Sequence, residues 1–137
     1  MSQIPPPPPG QPAPAGGTGA VGSNKNLYTI LAWAAAPPIG SLIMLFVGKD
    51  DPDVKNNAAQ ATLIHGIALV IDILLYILSG ITLGLLLPLA LLWGFVWFLI
   101  WLFGFILALQ ANGARVNYPV IGPMVQQWVP MIEGWAK

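Results

Sequence analysis

Apolar residues fall into three long blocks along this chain. The first, 27–47, is interrupted by Thr29 and Ser41 and ended abruptly by Gly48-Lys49-Asp50-Asp51-Pro52-Asp53. The second, 58–80, carries His65 and Asp72, and the third, 83–110, carries no charge at all. A helix that spans a hydrocarbon core about 30 Å thick needs roughly 20 predominantly apolar residues. Each block meets that length, so the pattern predicts an all-α membrane protein with three transmembrane helices at about 27–47, 58–80 and 86–110. Between the second and third blocks lies Ser79-Gly80-Ile81-Thr82-Leu83-Gly84, room for a turn and little else. Those two helices are therefore expected to form an antiparallel hairpin. At ~1.5 Å per residue the third block is longer than a simple span requires, and Pro88 fits the first turn of a helix that begins near 86. Tilt absorbs the remaining excess.

Pro37 and Pro38 stand in the middle of the first block. Neither has an amide hydrogen, and Pro37 pushes Ala36 away from helical angles. The carbonyls of Trp33 and Ala34 lose their intrahelical donors, which is costly in hydrocarbon unless a neighbouring helix supplies replacements. A sharp kink or break is expected, turned towards protein.

The flanks are different in kind. Residues 1–26 form a Pro/Gly-rich tail, with five prolines at 5–9 and Gly16-Gly17-Thr18-Gly19 beyond them. The prolines favour an extended polyproline rod and the glycines a flexible tether, so this tail is expected to be disordered and to act as a spacer. It lacks the charged start and apolar centre of a signal peptide. Residues 111–137 are polar through Asn117 and then amphipathic. Pro119, Pro123 and Pro130 forbid a fourth full span, while Trp128 and Trp135 suit the headgroup boundary. Short interfacial helices are expected here.

Composition explains why a membrane is the right solvent. The chain is 56% hydrophobic and only 7% charged, against about 25% charged in ordinary soluble domains. Net charge is zero, so no basic surface for nucleic acid exists. With no cysteine, disulfides, thiolate metal sites and thiol nucleophiles are excluded. Three spans would put the tail and the second turn, with Lys25, on one side. Lys49, Lys55, Arg115 and Lys137 would lie on the other. That bias predicts a multi-pass protein of the bacterial inner membrane, with its N-terminus outside and its C-terminus in the cytoplasm.

The first loop and its flanks resemble a known family. Pro38-Ile39-Gly40, Val47-Gly48-Lys49-Asp50-Asp51-Pro52-Asp53-Val54, Asn57-Ala58-Ala59-Gln60-Ala61 and the closing Tyr118-Pro119-Val120-Ile121-Gly122 resemble small three-span bacterial membrane proteins of unknown function. Those proteins are distantly related to a component of the chloroplast inner-envelope import machinery and to magnetosome membrane proteins. The resemblance covers about 26–127 and implies the three-span architecture but no activity. Asn57 stands where many relatives have histidine, so a role tied to that imidazole is not carried over.

Chemistry-bearing residues are few. His65 and Asp72 are seven apart and lie within about 20° on one helix face. A carboxylate inside the membrane costs at least ~2.5 kcal/mol and calls for a partner. Proton relay is one reading of Asp72; the favoured one is a structural hydrogen bond to a buried group, such as a carbonyl freed at Pro37-Pro38 or a tryptophan. Ala61, one turn before His65, would leave room for a flat macrocycle. Trp93, Trp97 and Trp101, at four-residue spacing, would border a pigment, quinone or lipid. The favoured reading is that these side chains pack the bundle. Gly104 and Ala108 suit close helix contact. No nucleophile, base and acid occur together, no metal set appears, and no cofactor is called for.

The sequence thus reads as a non-enzymatic integral membrane protein, a structural or accessory subunit whose partners are the bilayer and other membrane proteins or further copies of itself. The alternatives are an oligomeric small transporter or channel component, and a pigment- or quinone-binding subunit.

Overall fold

A computed structural model of the chain describes residues 24–136. Within them are six α-helices: α1 (Lys25–Ala34), α2 (Ile39–Val47), α3 (Pro52–Ile81), α4 (Leu87–Ala111), α5 (Ile121–Gln126) and α6 (Val129–Glu133). A short 3-10 turn, Gly134–Ala136, follows, and no strand occurs among the described residues. Most of the proline-rich tail lies outside the described residues.

α3 and α4 are long and apolar enough to cross a membrane. α4 begins where Pro88 predicts, and it ends at Asn112, which takes the left-handed conformation (φ 51°) just before Gly113. α3 begins at Pro52, six residues earlier than the expected 58. The signal was Asp51-Pro52. The Asp51 carboxylate accepts from the amides of Asp53 and Val54 at 2.9 and 3.1 Å, and Pro52 occupies the first turn, where its missing N–H costs nothing. Apolarity misses this first stretch because Asp53, Lys55, Asn56 and Asn57 are charged or polar, yet Asn56 and Asn57 are buried against protein.

The block 27–47 departs further from expectation. It breaks at Pro37-Pro38 as the prolines require, but the chain then reverses instead of continuing across. Three registers establish this. Lys25 pairs with Asp53, and Thr29 with Asn57, both 28 positions apart, so α1 runs parallel to α3. Ser41 pairs with Thr62 across the short loop, so α2 runs antiparallel to α3. Trp101 meets Ala34, and Gly104 lies against Trp33, so α1 runs antiparallel to α4. The start of α1 and the end of α2 therefore sit at the same end of the bundle. Ala36 adopts φ 35° at the reversal, and a Cβ on Gly40 would lie 2.0 Å from the Ala35 carbonyl oxygen, so only glycine lets α2 start this close to α1. A third span is not shown: in place of the expected first transmembrane helix stands a helical hairpin, α1–α2. Each of its arms, of ten and nine residues, is about 15 Å long or a little less, half the thickness of a hydrocarbon core.

This divides the molecule into two halves. In the head, α1, α2 and the C-terminal helices surround the first half of α3 and the second half of α4. Trp33, Leu45, Ala58, Ala61, Val125 and Val129 form its core. α6 is tied down by Asn56, which donates to Glu133 at 3.1 Å. In the other half α3 and α4 stand alone as a hairpin. Val70, Ile73, Leu74, Ile77, Leu91, Leu92 and Phe95 are exposed there, as side chains facing lipid should be.

Candidate functional site

The tryptophan stripe of α4 is a ladder of hydrogen bonds. Trp93 Nε1 donates to the Ala68 carbonyl at 3.0 Å, Trp97 Nε1 to His65 Nδ1 at 3.1 Å, and Trp101 Nε1 to the Ala34 carbonyl at 3.1 Å. Four-residue spacing puts the three indoles on one face. The last bond answers the need created by Pro38, whose ring nitrogen cannot serve the Ala34 carbonyl. Trp101 supplies the missing donor from a neighbouring helix. Trp97 and Trp101 also line a groove of about 460 Å³ with Ala34, Pro37, Gly94 and Phe98.

His65 is fully buried. Accepting at Nδ1 leaves its ring proton on Nε2, which has no acceptor among the described residues. The ring meets Trp33 edge-on, with centroids 6.1 Å apart. Trp33 stacks on Tyr118 at 5.8 Å and lies flush against Gly104, where a Cβ would come within 2.6 Å of the indole. Gly104 and Ala108 are both buried, as expected of helix-contact residues. His65, Trp33, Trp97 and Tyr118 therefore form one aromatic centre at the depth of the α1–α2 reversal.

Asp72 is not brought to this centre. Its Oδ1 is buried without a partner among the described residues, and the expected hydrogen bond to a proline-freed carbonyl or to a tryptophan is not made there. The reason is depth. The α1–α2 hairpin ends near the level of Trp97 and His65, and Asp72 lies seven residues further along α3, about 10 Å away along the helix axis. The Ala34 carbonyl is already served by Trp101.

Two further groups escaped the sequence reading as functional residues. The first is Asn57, fully buried. Its Nδ2 donates to Thr29 Oγ1 at 3.3 Å and to the Ala114 carbonyl at 2.9 Å, and its Oδ1 accepts from the Val116 amide at 2.7 Å. One carboxamide thus fastens α1 and the segment after α4 to α3, a task needing a donor and an acceptor on one side chain. The second is Gln60, one turn on, also fully buried, with neither amide atom partnered among the described residues. A Cβ on Gly122 would lie 2.9 Å from Gln60 Nε2. The Asn57-Ala58-Ala59-Gln60 and Tyr118-Pro119-Val120-Ile121-Gly122 motifs, remote in sequence, thus meet in space. Around the contact lies a cavity of about 600 Å³ lined by Gln60, Asn117, Tyr118, Pro119, Gly122 and Gln126, among others.

Tyr118 anchors the second motif. Its hydroxyl donates to the Ile100 carbonyl at 3.0 Å, and burial pushes the phenol up to about 12, so it stays a neutral donor. Val120 (φ 64°) closes a tight turn in which the Ile121 amide donates to the Pro119 carbonyl at 2.7 Å. At the head's outer end, Asp53 accepts from Lys25 and from Arg115 Nε, the latter at 2.9 Å, gathering α1, α3 and the segment after α4. Among the described residues no cluster of histidine and carboxylate side chains could hold a metal ion.

No curated protein and no solved structure matches the chain. The loop after α2, the start of α3 and most of the Tyr118–Gly122 motif's surroundings fall inside one family match, to residues 23–125, which covers well over half the sequence. The chain belongs to the magnetosome magnetite crystal formation protein family.

Proposed function

We propose that this protein is a non-enzymatic integral membrane protein, with α3 and α4 as its two spans and α1–α2 as a re-entrant pair, that serves as a structural or accessory subunit of a larger membrane assembly. The observation that carries this reading is the use of the intramembrane polar groups. The three ladder indoles and His65 Nδ1 are all engaged in holding helices together. The family's description, magnetosome magnetite crystal formation, is the context in which such an assembly would act.

The re-entrant pair also changes the orientation we propose. With α1 and α2 returning to their own side, Lys25, Lys49, Lys55 and Arg115 all belong to the head, and the turn 82–86 between α3 and α4 carries no lysine or arginine. The positive-inside bias then favours a cytoplasmic head, with both ends of the described chain on the cytoplasmic side. This replaces the expectation of an external N-terminus.

Purification in mild detergent, followed by reconstitution into sealed vesicles, tests the reading. A structural subunit leaves ion and proton permeability at the level of empty vesicles, shows no visible absorbance and co-purifies with membrane proteins in fixed ratio. A proton flux abolished by Asp72→Asn would replace it with the transport reading. A visible chromophore would replace it with the pigment reading.

A further inference from the structure

One end of the molecule is much wider than the other. In the head, α3 and α4 carry two flanks. α1 and α2 form the first, through the bonds of Ser41 with Thr62 and of Trp101 with Ala34. The C-terminal helices form the second. Ile121 and Val125 of α5 meet Ile64, Ala68 and Ile100, while Ile132 and Trp135 line a groove with α3 that runs from Thr62 to Ile71. Trp33 stacks on Tyr118, so the two flanks reach the same level. A section through the head thus crosses α1, α2, α3, α4 and a C-terminal helix. Past Ile71 a section holds α3 and α4 alone. Of residues 72–92 only Ser79 and Ala90 are buried, and both are small, so these two helices close tightly on each other.

Both ends present apolar surface outward. Ile39, Ile43 and Phe46 on α2, and Met124, Trp128 and Met131 on the C-terminal side, are exposed. These rows continue the apolar surface of the two spans, so the same lipid covers them. Each arm of the first flank is about 15 Å long, and residues 72–81 of α3 also rise about 15 Å, against a hydrocarbon core about 30 Å thick. The head therefore fits one leaflet and the bare hairpin the other. The hairpin's tip adds no width and nothing to hold headgroups: residues 73–114 carry no charge, and Leu83 is 97% exposed.

A rigid body with more cross-section in one leaflet spreads the lipids on its wide side. The bilayer accommodates it at lowest cost where that leaflet is already stretched, on the convex side of a curved membrane. Apolar surface inserted into one leaflet has the same dependence on curvature. We propose that this protein recognises membrane curvature, with its wide head seated in the convex leaflet and its bare hairpin in the concave one. This rests on the accessory-subunit reading for the two spans and the re-entrant pair, and deepens it by naming the membrane shape on which the subunit collects. With the cytoplasmic head proposed above, that shape is an inner membrane bulging into the cytoplasm.

The chain has no cysteine, so single cysteines report sidedness cleanly. Full-length Lys49→Cys is reconstituted with phosphatidylcholine by detergent removal, briefly sonicated, and the vesicles of that one preparation are separated by size. Labelling by an impermeant thiol reagent gives the share of heads facing outward. That share should be near half in the largest vesicles, with a several-fold outward excess in the smallest. Ile73→Trp, Ile77→Trp, Leu91→Trp and Leu92→Trp, introduced together, widen the narrow half at exposed positions. They should leave melting in detergent unchanged and bring the small-vesicle excess back towards parity. A share independent of vesicle size, or an inward excess, would overturn the proposal. So would an excess that the four tryptophans leave untouched, since crowding of the N-terminal tail inside small vesicles would then set the orientation. Asn24→Cys labelled from the side opposite Lys49→Cys would remove the re-entrant pair and this proposal with it. Both cysteines on one side without size dependence would remove the curvature preference alone and leave the accessory-subunit reading standing.

Discussion

The ammonium of Lys25, in the first turn of α1, donates to the carboxylate of Asp53, in the first turn of α3. Between them lie both arms of the first apolar block, so this one ion pair requires that block to go in and come back. Exposed ion pairs contribute little, but this one is partly buried and shared with Arg115. Its importance is topological, because it fixes the side of the membrane on which α1 begins.

Topology is the first prediction. Single cysteines at Lys49, Asn112 and Leu85 separate the two arrangements once Asn24→Cys is added. The re-entrant pair predicts that Asn24→Cys, Lys49→Cys and Asn112→Cys share one side and Leu85→Cys alone lies on the other. An impermeant thiol reagent on intact cells should label only Leu85→Cys. Labelling of Asn24→Cys together with Leu85→Cys would restore three spans.

Asn57 should be the most sensitive polar position. Asn57→Leu strands the Val116 amide and the Ala114 carbonyl, at a cost of ~1–3 kcal/mol for each group left buried. Thr29→Val removes one long bond of 3.3 Å and should cost less. Melting in detergent ranks the two; equal effects would show that the bonds to residues 114 and 116 do not matter.

A double-mutant cycle isolates the bond between Trp97 and His65. Intramembrane hydrogen bonds average ~0.6 kcal/mol and reach about 1.7. Trp97→Phe and His65→Phe, alone and combined, should show coupling in that range. Zero coupling would mean that the ladder packs by shape alone.

Two glycines of α4 should respond in opposite ways. Gly104→Ala drives a methyl to within 2.6 Å of Trp33 and should cost ~1–3 kcal/mol by overpacking. Gly94→Ala meets nothing within 4 Å and should be neutral, or slightly stabilising through helix propensity. Thermal melting of both variants is the check.

Local chemistry was enough to determine much of this protein. The apolar block and Pro88 located α4 to within a residue or so at each end, because a helix in hydrocarbon has no alternative partner for its backbone groups. Pro37-Pro38 announced a break and the need for a foreign donor at the Ala34 carbonyl. The even spacing of Trp93, Trp97 and Trp101 announced one packed face. Asp51-Pro52 announced the start of α3, although the polar residues after it hid the signal from a reading based on apolarity.

What happens after the break was a tertiary decision. A kinked span and a re-entrant pair have the same composition, and the dihedrals that separate them are local to Ala35 and Ala36. The choice is made by pairings remote in sequence: Lys25 with Asp53, Thr29 with Asn57, and Ser41 with Thr62. No periodicity encodes such pairings, since each depends on which helices become neighbours. The same holds for the bonds of Asn57 to residues 114 and 116 and for the contact of Gln60 with Gly122, each of which joins positions more than fifty residues apart. The lone position of Asp72 likewise follows from how deep α1 and α2 reach, a length set only once the chain has turned back.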